Sequence, residues 1–304
     1  MTSQYFLQAP STFAQYNITS SQLNVLKACL LDKTLTASQT AKDLTIHPEI
    51  STTPLEMQQR VAGLWTLLND TAVDLPSSQP KIIAILQTIR TFPRIDIPSG
   101  EGEDDFDFDD GYVWREVTGW AIDWADNFNR HGARFFLERC RSDELRVKRG
   151  EAWVSANAYT GRLAATGDVP LSSYGAGLDR ASSAIVDALE FDYDHDHGPE
   201  NELDRDIINA SVESAAQLFI HAAAELYHRC RDEYPERLWS GRGRRSGMKG
   251  LWHGGTEEEG YSEGRWGFWK ERWAAISLAD GQGLSSEAHA AAEEALVAME
   301  RVER

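Results

Sequence analysis

The sequence predicts an all-α fold: a single helical-bundle-like domain of about ten helices with no significant sheet. Three observations support this prediction. Apolar residues recur at spacings of three and four along almost all of the 304 residues. Serine and threonine residues, which are preferred N-caps, precede several of these stretches. Segments with the strict apolar–polar alternation of a half-buried strand are absent from the sequence.

The first helices follow from short apolar patterns. The leucines of residues 23–31 mark one helix, and Thr36 is placed to cap the next, with Gln39 at the capping-box position. Because a longer apolar series starts after these short ones, we predict two parts. Residues 1–53 form a helical N-terminal extension, and residues 54–304 form the main all-α domain.

The main domain begins with the longest apolar series, which steps by threes and fours from Leu55 to Ala72. Isoleucines at residues 82–89 carry the next helix. Ser262 and Ser285 precede the last two helices as N-cap candidates. Further helical stretches are predicted near 112–142, 148–167, 172–190, 204–233, 262–280 and 285–303.

Three acidic or glycine-rich segments interrupt the helical pattern and are expected to be mobile loops. They lie near residues 96–111, 192–203 and 240–261. In the second loop, Asp192, Asp194 and Asp196 match three positions of a calcium loop, but Leu203 stands where the bidentate glutamate belongs. We therefore interpret this segment as a solvated loop.

The motif DDFDFDD at residues 104–110 is similar to the aspartate-rich motif of class I terpene cyclases. Its strict alternation does not place the acids on one helical face, and glycines surround it. An acidic linker is the simpler interpretation.

The net charge of -18 opposes binding to nucleic acid and to anionic membranes, because both require neutralisation of phosphates. The three cysteines are widely spaced and form neither a disulfide framework nor a metal knuckle. The first residues lack the pattern of a signal peptide, and no apolar run has membrane-spanning length. These features predict a cytoplasmic protein without a nucleic-acid or membrane partner.

Polar side chains follow the apolar stripe of the helix predicted over residues 204–233. They are mostly three or four residues apart, which aligns carboxylates and imidazoles on one side. Such a set could bind a metal or move protons, whereas a solvated face with ion pairs is the alternative. The set comprises Glu213, Gln217, His221, Glu225 and His228.

Tryptophans at helical spacing are the strongest signal in the chain, which has ten of them. An aromatic stripe of this kind usually forms core, but rings beside arginines could also line a ligand pocket through cation–π contacts. The three sets are Trp114, Trp120 and Trp124; Trp153 with Asn157 and Arg162; and Trp266, Trp269 and Trp273 with Arg265 and Arg272.

Several segments with these tryptophans resemble a fungal all-helical family catalogued as domain of unknown function 3632. Among the matching pieces are LWTLLNDTAVDLP at 64–76, VWREVTGWAIDWADNFN at 113–129, EAWVSANAYTGRLAATG at 151–167 and SEGRWGFWKERWAAIS at 262–277. The resemblance covers about residues 54–304. It implies a soluble helical protein, in some members tied to specialised metabolism, and it supplies no catalytic set.

We therefore predict a small-molecule enzyme of fungal specialised metabolism that needs no cofactor and no metal. A cyclase or isomerase of the pericyclase kind, acting on a mainly apolar substrate, suits an aromatic-lined helical pocket. The candidate catalytic residues are His221, Glu225, Arg265 and Arg272. The candidate substrate-binding residues are Trp114, Trp120, Trp124, Trp153, Asn157, Arg162, Gln217, Trp266 and Trp269.

Two alternatives stay open at this stage. One is a non-catalytic helical protein that binds a ligand or a protein partner, or that forms a homodimer. The other, less favoured, is a metal-dependent enzyme that uses the stripe of His221, Glu225 and His228.

Overall fold

The computed structural model describes most of the chain, and the described residues are mostly helical. They are residues 2–100, 106–131, 137, 139–172, 177–190, 202–233, 238, 251–252, 260–278 and 284–304. Twelve α-helices and three short 3-10 helices make up their regular structure, and these residues contain no strand. The all-α prediction is confirmed. Most of the predicted loops near 192–203 and 240–261 lies outside the described residues.

The chain divides into two compact units, Met1–Asn127 and Phe128–Arg304. The first unit contains α1 to α5 and the start of α6. The boundary drawn at residue 53 falls inside this unit, where α3 packs against α4 and α5. The helices are α1 (Thr2–Phe13), α2 (Ser20–Leu30), α3 (Ala37–Glu49), α4 (Pro54–Asp74), α5 (Gln79–Ile89) and α6 (Trp120–His131).

Side-chain caps begin several of these helices. Thr19 accepts a hydrogen bond from the Gln22 backbone at 3.1 Å, and the Gln22 side chain completes a capping box. Thr36 accepts from the Gln39 backbone at 3.1 Å, which confirms the predicted cap. The Gln39 side chain instead donates to Asp43 at 2.8 Å, so the predicted box is only half formed.

The predicted helix from residue 112 is wrong in its first part, because residues 112–119 form successive turns and α6 begins only at Trp120. Positive φ angles at Val117 (46°) and Gly119 (77°) interrupt a helical path. Trp114 therefore lies on a turn rather than on the helix of Trp120. Pattern spacing alone could not detect this interruption, since tertiary contacts impose it.

The second unit is a helical bundle with α10 at its centre. Its helices are α7 (Asp143–Ala164), α8 (Val169–Ser172), α9 (Leu178–Leu189), α10 (Glu202–Arg231), α11 (Glu263–Leu278) and α12 (Ser286–Val302). The central helix packs against α7, α9, α11 and α12. Ser262 and Ser285 accept hydrogen bonds from the backbone three residues later, as their predicted capping roles require.

Helices α11 and α12 are antiparallel. At one end the Trp266 indole donates to Glu303 at 2.8 Å, and at the other His289 bonds the Ile276 carbonyl at 3.0 Å. This arrangement places the tryptophan face of α11 against the middle of α10, where Phe219 contacts three indole rings.

Candidate functional site

Helices α7 and α10 run parallel, and the residues that face each other are separated by a constant number of positions in the sequence. The Arg146 guanidinium donates through Nε to Asp206 at 2.6 Å. One turn later, Gly150 lies against the Cβ of Ala210. In both pairs the α10 residue comes sixty positions after its α7 partner in the sequence, so the two helices run in the same direction.

The same offset holds at Gly161, which lies against His221. A Cβ atom at Gly161 would be 3.1 Å from the His221 Cβ and 3.2 Å from the Gln217 carbonyl oxygen. The missing side chain therefore lets the two backbones approach closely. We call the interface between residues 153–162 of α7 and 214–221 of α10 the seam.

Three buried polar side chains of the seam carry groups without a hydrogen-bond partner among the described residues. Asn157 donates through Nδ2 to the Trp153 carbonyl at 2.9 Å, but its Oδ1 accepts nothing. The hydroxyls of Thr160 and Ser214 also lack partners. Each of the three residues is at most 1% exposed. Because buried polar groups are almost always paired, these atoms are positions where a bound molecule would gain hydrogen bonds.

Arg162 and His221 are half-buried at the C-terminal end of the seam. The Arg162 Nε is shielded from water without a partner, and burial lowers the pKa of this guanidinium. Burial and, second, the charge of Arg162 lower the pKa of His221 to about 4. The imidazole is therefore neutral near pH 7 and able to accept a proton or a hydrogen bond.

Helix α10 breaks directly after His221. Ala222 has a φ of -128° and a ψ of 23°, outside the helical region. The helix contains neither proline nor glycine, and alanine is the strongest helix former, so packing rather than local sequence causes the break. The break lies beside the imidazole, and irregular helical turns occur frequently at functional sites.

A family model described as "Protein of unknown function (DUF3632)" matches residues 65–273, which is more than half of the chain. The chain belongs to the DUF3632 family. No curated protein and no solved structure matches it significantly. The matched residues include the whole seam and α11 as far as Trp273, but not α1 to α3 or α12.

The DUF3632 chain packs its α11 tryptophans around one ring of α10. The centroid of the Phe219 ring is 5.9 Å from that of Trp266, 5.8 Å from that of Trp269 and 5.6 Å from that of Trp273. Trp269 and Trp273 are fully buried. The indole nitrogen of Trp273 has no partner among the described residues. The predicted aromatic stripe thus forms core, and Trp273 adds a further unpaired donor.

A buried ion pair that the sequence did not reveal joins α9 to α11. The Arg265 guanidinium donates hydrogen bonds to the Glu190 carboxylate through Nε and Nη2, each at 2.7 Å. The Trp269 indole donates to the same carboxylate at 2.8 Å. The two side chains are 8% and 7% exposed. Arg265, a predicted catalytic residue, therefore already holds a bidentate partner, and Trp269 orients that partner.

Leu251, Trp252 and Gly260 are tied to this ion pair. The Leu251 amide donates to the Glu190 carbonyl at 2.8 Å, and the Arg265 Nη1 donates to the Gly260 carbonyl at 3.0 Å. The Trp252 ring lies 5.7 Å from the guanidinium carbon. These contacts assign Glu190 and Arg265 a structural role in fixing the loop.

The other predicted catalytic residues have separate surroundings. Arg272 donates through Nε to the Leu189 carbonyl at 3.2 Å. Glu225 pairs with Arg229 at 3.0 Å, one helical turn along α10. His228, which belongs to the alternative metal stripe and not to the catalytic set, is exposed and lies 3.2 Å from Asp232. His221 is thus the one member of the predicted catalytic set that lies in the seam.

The stripe of His221, Glu225 and His228 does not converge on a metal position. No group of three or more metal-ligating side chains with suitable geometry is found in the described part of the chain. Likewise, no helix among the described residues is long and apolar enough to cross a membrane.

The structure gathers four of the predicted substrate-binding residues in the seam: Trp153, Asn157, Arg162 and Gln217. Trp153 begins the seam, and its ring packs 4.8 Å from that of Phe128.

The other predicted tryptophans lie in the core of the first unit. The Trp114 indole donates to Glu49 at 2.8 Å, and the Trp120 indole donates to Asn69 at 3.1 Å. Trp124 is fully buried. These contacts give Trp114 and Trp120 packing roles in that core.

The described part of the acidic segment is also held by local contacts. The Ile95 amide donates to the Gly111 carbonyl at 2.9 Å, and the Arg94 guanidinium donates to the Asp110 carbonyl at 2.6 Å. Asp109 and Asp110 both have positive φ angles and belong to a single 3-10 turn, Asp109–Gly111, rather than to an α-helix. A helical aspartate motif is therefore ruled out for residues 106–110, and the first residues of the motif lie outside the described ranges.

Proposed function

We propose that this DUF3632 protein is a small-molecule enzyme of the isomerase or cyclase type that works without a bound cofactor. Its reacting site would be the seam, with His221 as the proton-transferring group. The observation that supports this most strongly is the neutral, half-buried imidazole beside buried polar atoms that have no partners. Packing alone does not require such a set, and unpaired buried groups destabilise a fold.

An isomerisation requires a proton to leave one atom of the substrate and return to another. A neutral imidazole can take that proton and give it back, so no oxidant, reductant or second substrate is needed. Asn157 and Thr160 would position the substrate through the oxygen atoms that have no partners in the seam. Holding a reactive conformation in this way lowers the barrier to an intramolecular reaction.

The proposal includes a cellular setting. The three cysteines are free, and two of them, Cys29 and Cys230, are buried. Free cysteines suit a reducing compartment, which supports a cytoplasmic location. The family resemblance seen in the sequence supports fungal specialised metabolism as the source of the substrate.

Non-catalytic ligand binding is the second candidate, and one observation favours it. No hydrogen bond from another described residue orients either ring nitrogen of His221, whereas catalytic histidines usually have an orienting partner. Under this alternative the seam would bind a molecule and leave it unchanged.

The experiment that separates these functions uses purified protein and a fractionated extract of small molecules, without added cofactor. Conversion is followed by liquid chromatography and mass spectrometry. We expect a compound that the wild-type protein converts and the His221→Gln variant does not. The matched control is His228→Gln on the same helix, where the ring is exposed.

Equal conversion by wild type and His221→Gln would remove His221 from the mechanism. Retention of a compound in native mass spectra without conversion would favour the binding alternative.

A further inference from the structure

Acidic residues are missing from the seam, although the chain has 48 of them. Residues 152–167 of α7 and the turns after it contain no aspartate or glutamate, and neither do residues 214–224 of α10. Arg162 and His221 are the only basic side chains of the seam. In a protein with a net charge of -18, this is a local surface on which an anion is not repelled.

Three other arginines of the second unit that are largely withdrawn from water pair with carboxylates. Arg146 pairs with Asp206, Arg229 with Glu225, and Arg265 with Glu190. Arg162 has no carboxylate partner in the described part of the chain, and its Nε is shielded from solvent. A guanidinium in this state gains most from a planar anion that accepts two parallel hydrogen bonds.

We propose that the ligand of the seam carries a carboxylate, which pairs with Arg162 beside His221. This inference rests on the proposed function and names its substrate class. One guanidinium without a second full charge matches a monoanion better than a phosphate dianion, which usually takes several cations or a helix N-terminus.

Binding of a carboxylate also links the ligand to the chemistry of His221. The charge of Arg162 contributes to the low pKa of this imidazole, and no carboxylate among the described residues offsets it. An anion on Arg162 would cancel that contribution and raise the pKa of His221 towards its ordinary value.

The test uses trans-cinnamate as the carboxylate probe and cinnamamide as its uncharged counterpart. Binding is measured by calorimetry, and the His221 ring is followed by NMR in protein with labelled histidines. The His221 signal is identified by its loss in the His221→Gln variant. We expect cinnamate to bind more tightly than cinnamamide and to raise the pKa of His221, which cinnamamide leaves unchanged.

Variants of Arg162 test the assigned partner. Arg162→Gln should weaken cinnamate binding about 10- to 100-fold, the loss typical of a charge-assisted hydrogen-bonded pair, and Arg162→Lys should restore part of it. The control is Arg205→Gln, which removes an exposed arginine from α10. Because no described partner of Arg162 is stranded by the change, the variant should fold, and circular dichroism checks this.

Equal binding of cinnamate and cinnamamide, or equal binding by wild type and Arg162→Gln, would overturn the proposal. So would tighter binding of inorganic phosphate, or no cinnamate binding up to roughly 10 mM. The two proposals can fail separately. If carboxylate binding depends on Arg162 while the His221→Gln variant converts the substrate as well as the wild type does, only the catalytic proposal fails. Conversion of an uncharged compound that depends on His221 removes the carboxylate assignment alone.

Discussion

Removing Arg265 should destabilise the second unit strongly, because the change leaves a buried carboxylate without its cation. In Arg265→Met, the Glu190 carboxylate keeps only the Trp269 indole as a side-chain donor among the described residues. Both charged side chains are less than 10% exposed. Breaking such a pair from one side costs about 3–5 kcal/mol. For a unit of this size, that corresponds to a fall in melting temperature of roughly 6–20 °C.

A double-mutant cycle separates the ion pair from simple loss of packing. Glu190→Gln alone should also destabilise, since it leaves the guanidinium buried without a counter-charge. The double variant Glu190→Gln with Arg265→Met should cost less than the two single changes together, by about 2 kcal/mol. Urea unfolding monitored by tryptophan fluorescence measures all three. Additive costs, or a single-variant loss below about 1 kcal/mol, would show that this pair does not hold α9 to α11.

Three further changes test the seam. Gly161→Ala should destabilise by about 1–3 kcal/mol, because its methyl group would meet the Cβ of His221 at 3.1 Å. The control Gly267→Ala places its methyl group in open space and should be neutral or slightly stabilising. Chemical denaturation compares the two variants, and equal effects would contradict the close approach of α7 and α10. Arg162→Met should raise stability slightly, since it removes a partly desolvated charge that has no described partner, and a lower melting temperature would contradict this. The pKa of His221 is lower in the folded protein, so the unfolded chain binds more protons between about pH 6.5 and pH 4, and the free energy of unfolding should fall as the pH drops through that window. The His221→Gln variant should lose this part of the pH dependence. An unchanged pH profile in the variant would refute the prediction.

The helical fold was predictable because most of its elements follow from a local period. Buried faces repeat every three to four residues, and caps such as Thr36 and Ser285 need only their own turn. The turns at 112–119 were not predictable in this way. There the spacing of Trp114 and Trp120 fits a helix, while the positive φ of Val117 prevents one.

The candidate site was predictable only in part. Helical spacing indicated Gln217 and His221 on one helix and Asn157 and Arg162 on another, but not that the two would meet. Their meeting depends on the parallel packing of α7 and α10, which involves contacts between residues sixty positions apart. Glu190 was missed because it directly precedes an acidic stretch, where an isolated glutamate has the signature of a solvated residue.

Arg265 and Arg162 of the second unit show why burial and residue type alone do not identify a site. Arg265 is the more deeply buried, yet its bidentate bond to Glu190 accounts for its presence in the core. Arg162 is less buried but has no described partner, so its desolvation is a net cost to the fold. The same argument applies to the unpaired oxygens of Asn157 and Thr160 and to the neutral ring of His221. The fold provides three short hydrogen bonds for the more deeply buried Arg265, so it could also have provided a partner for the less buried Arg162. Under our proposal a ligand pairs with Arg162, and the charge of this guanidinium favours an anion.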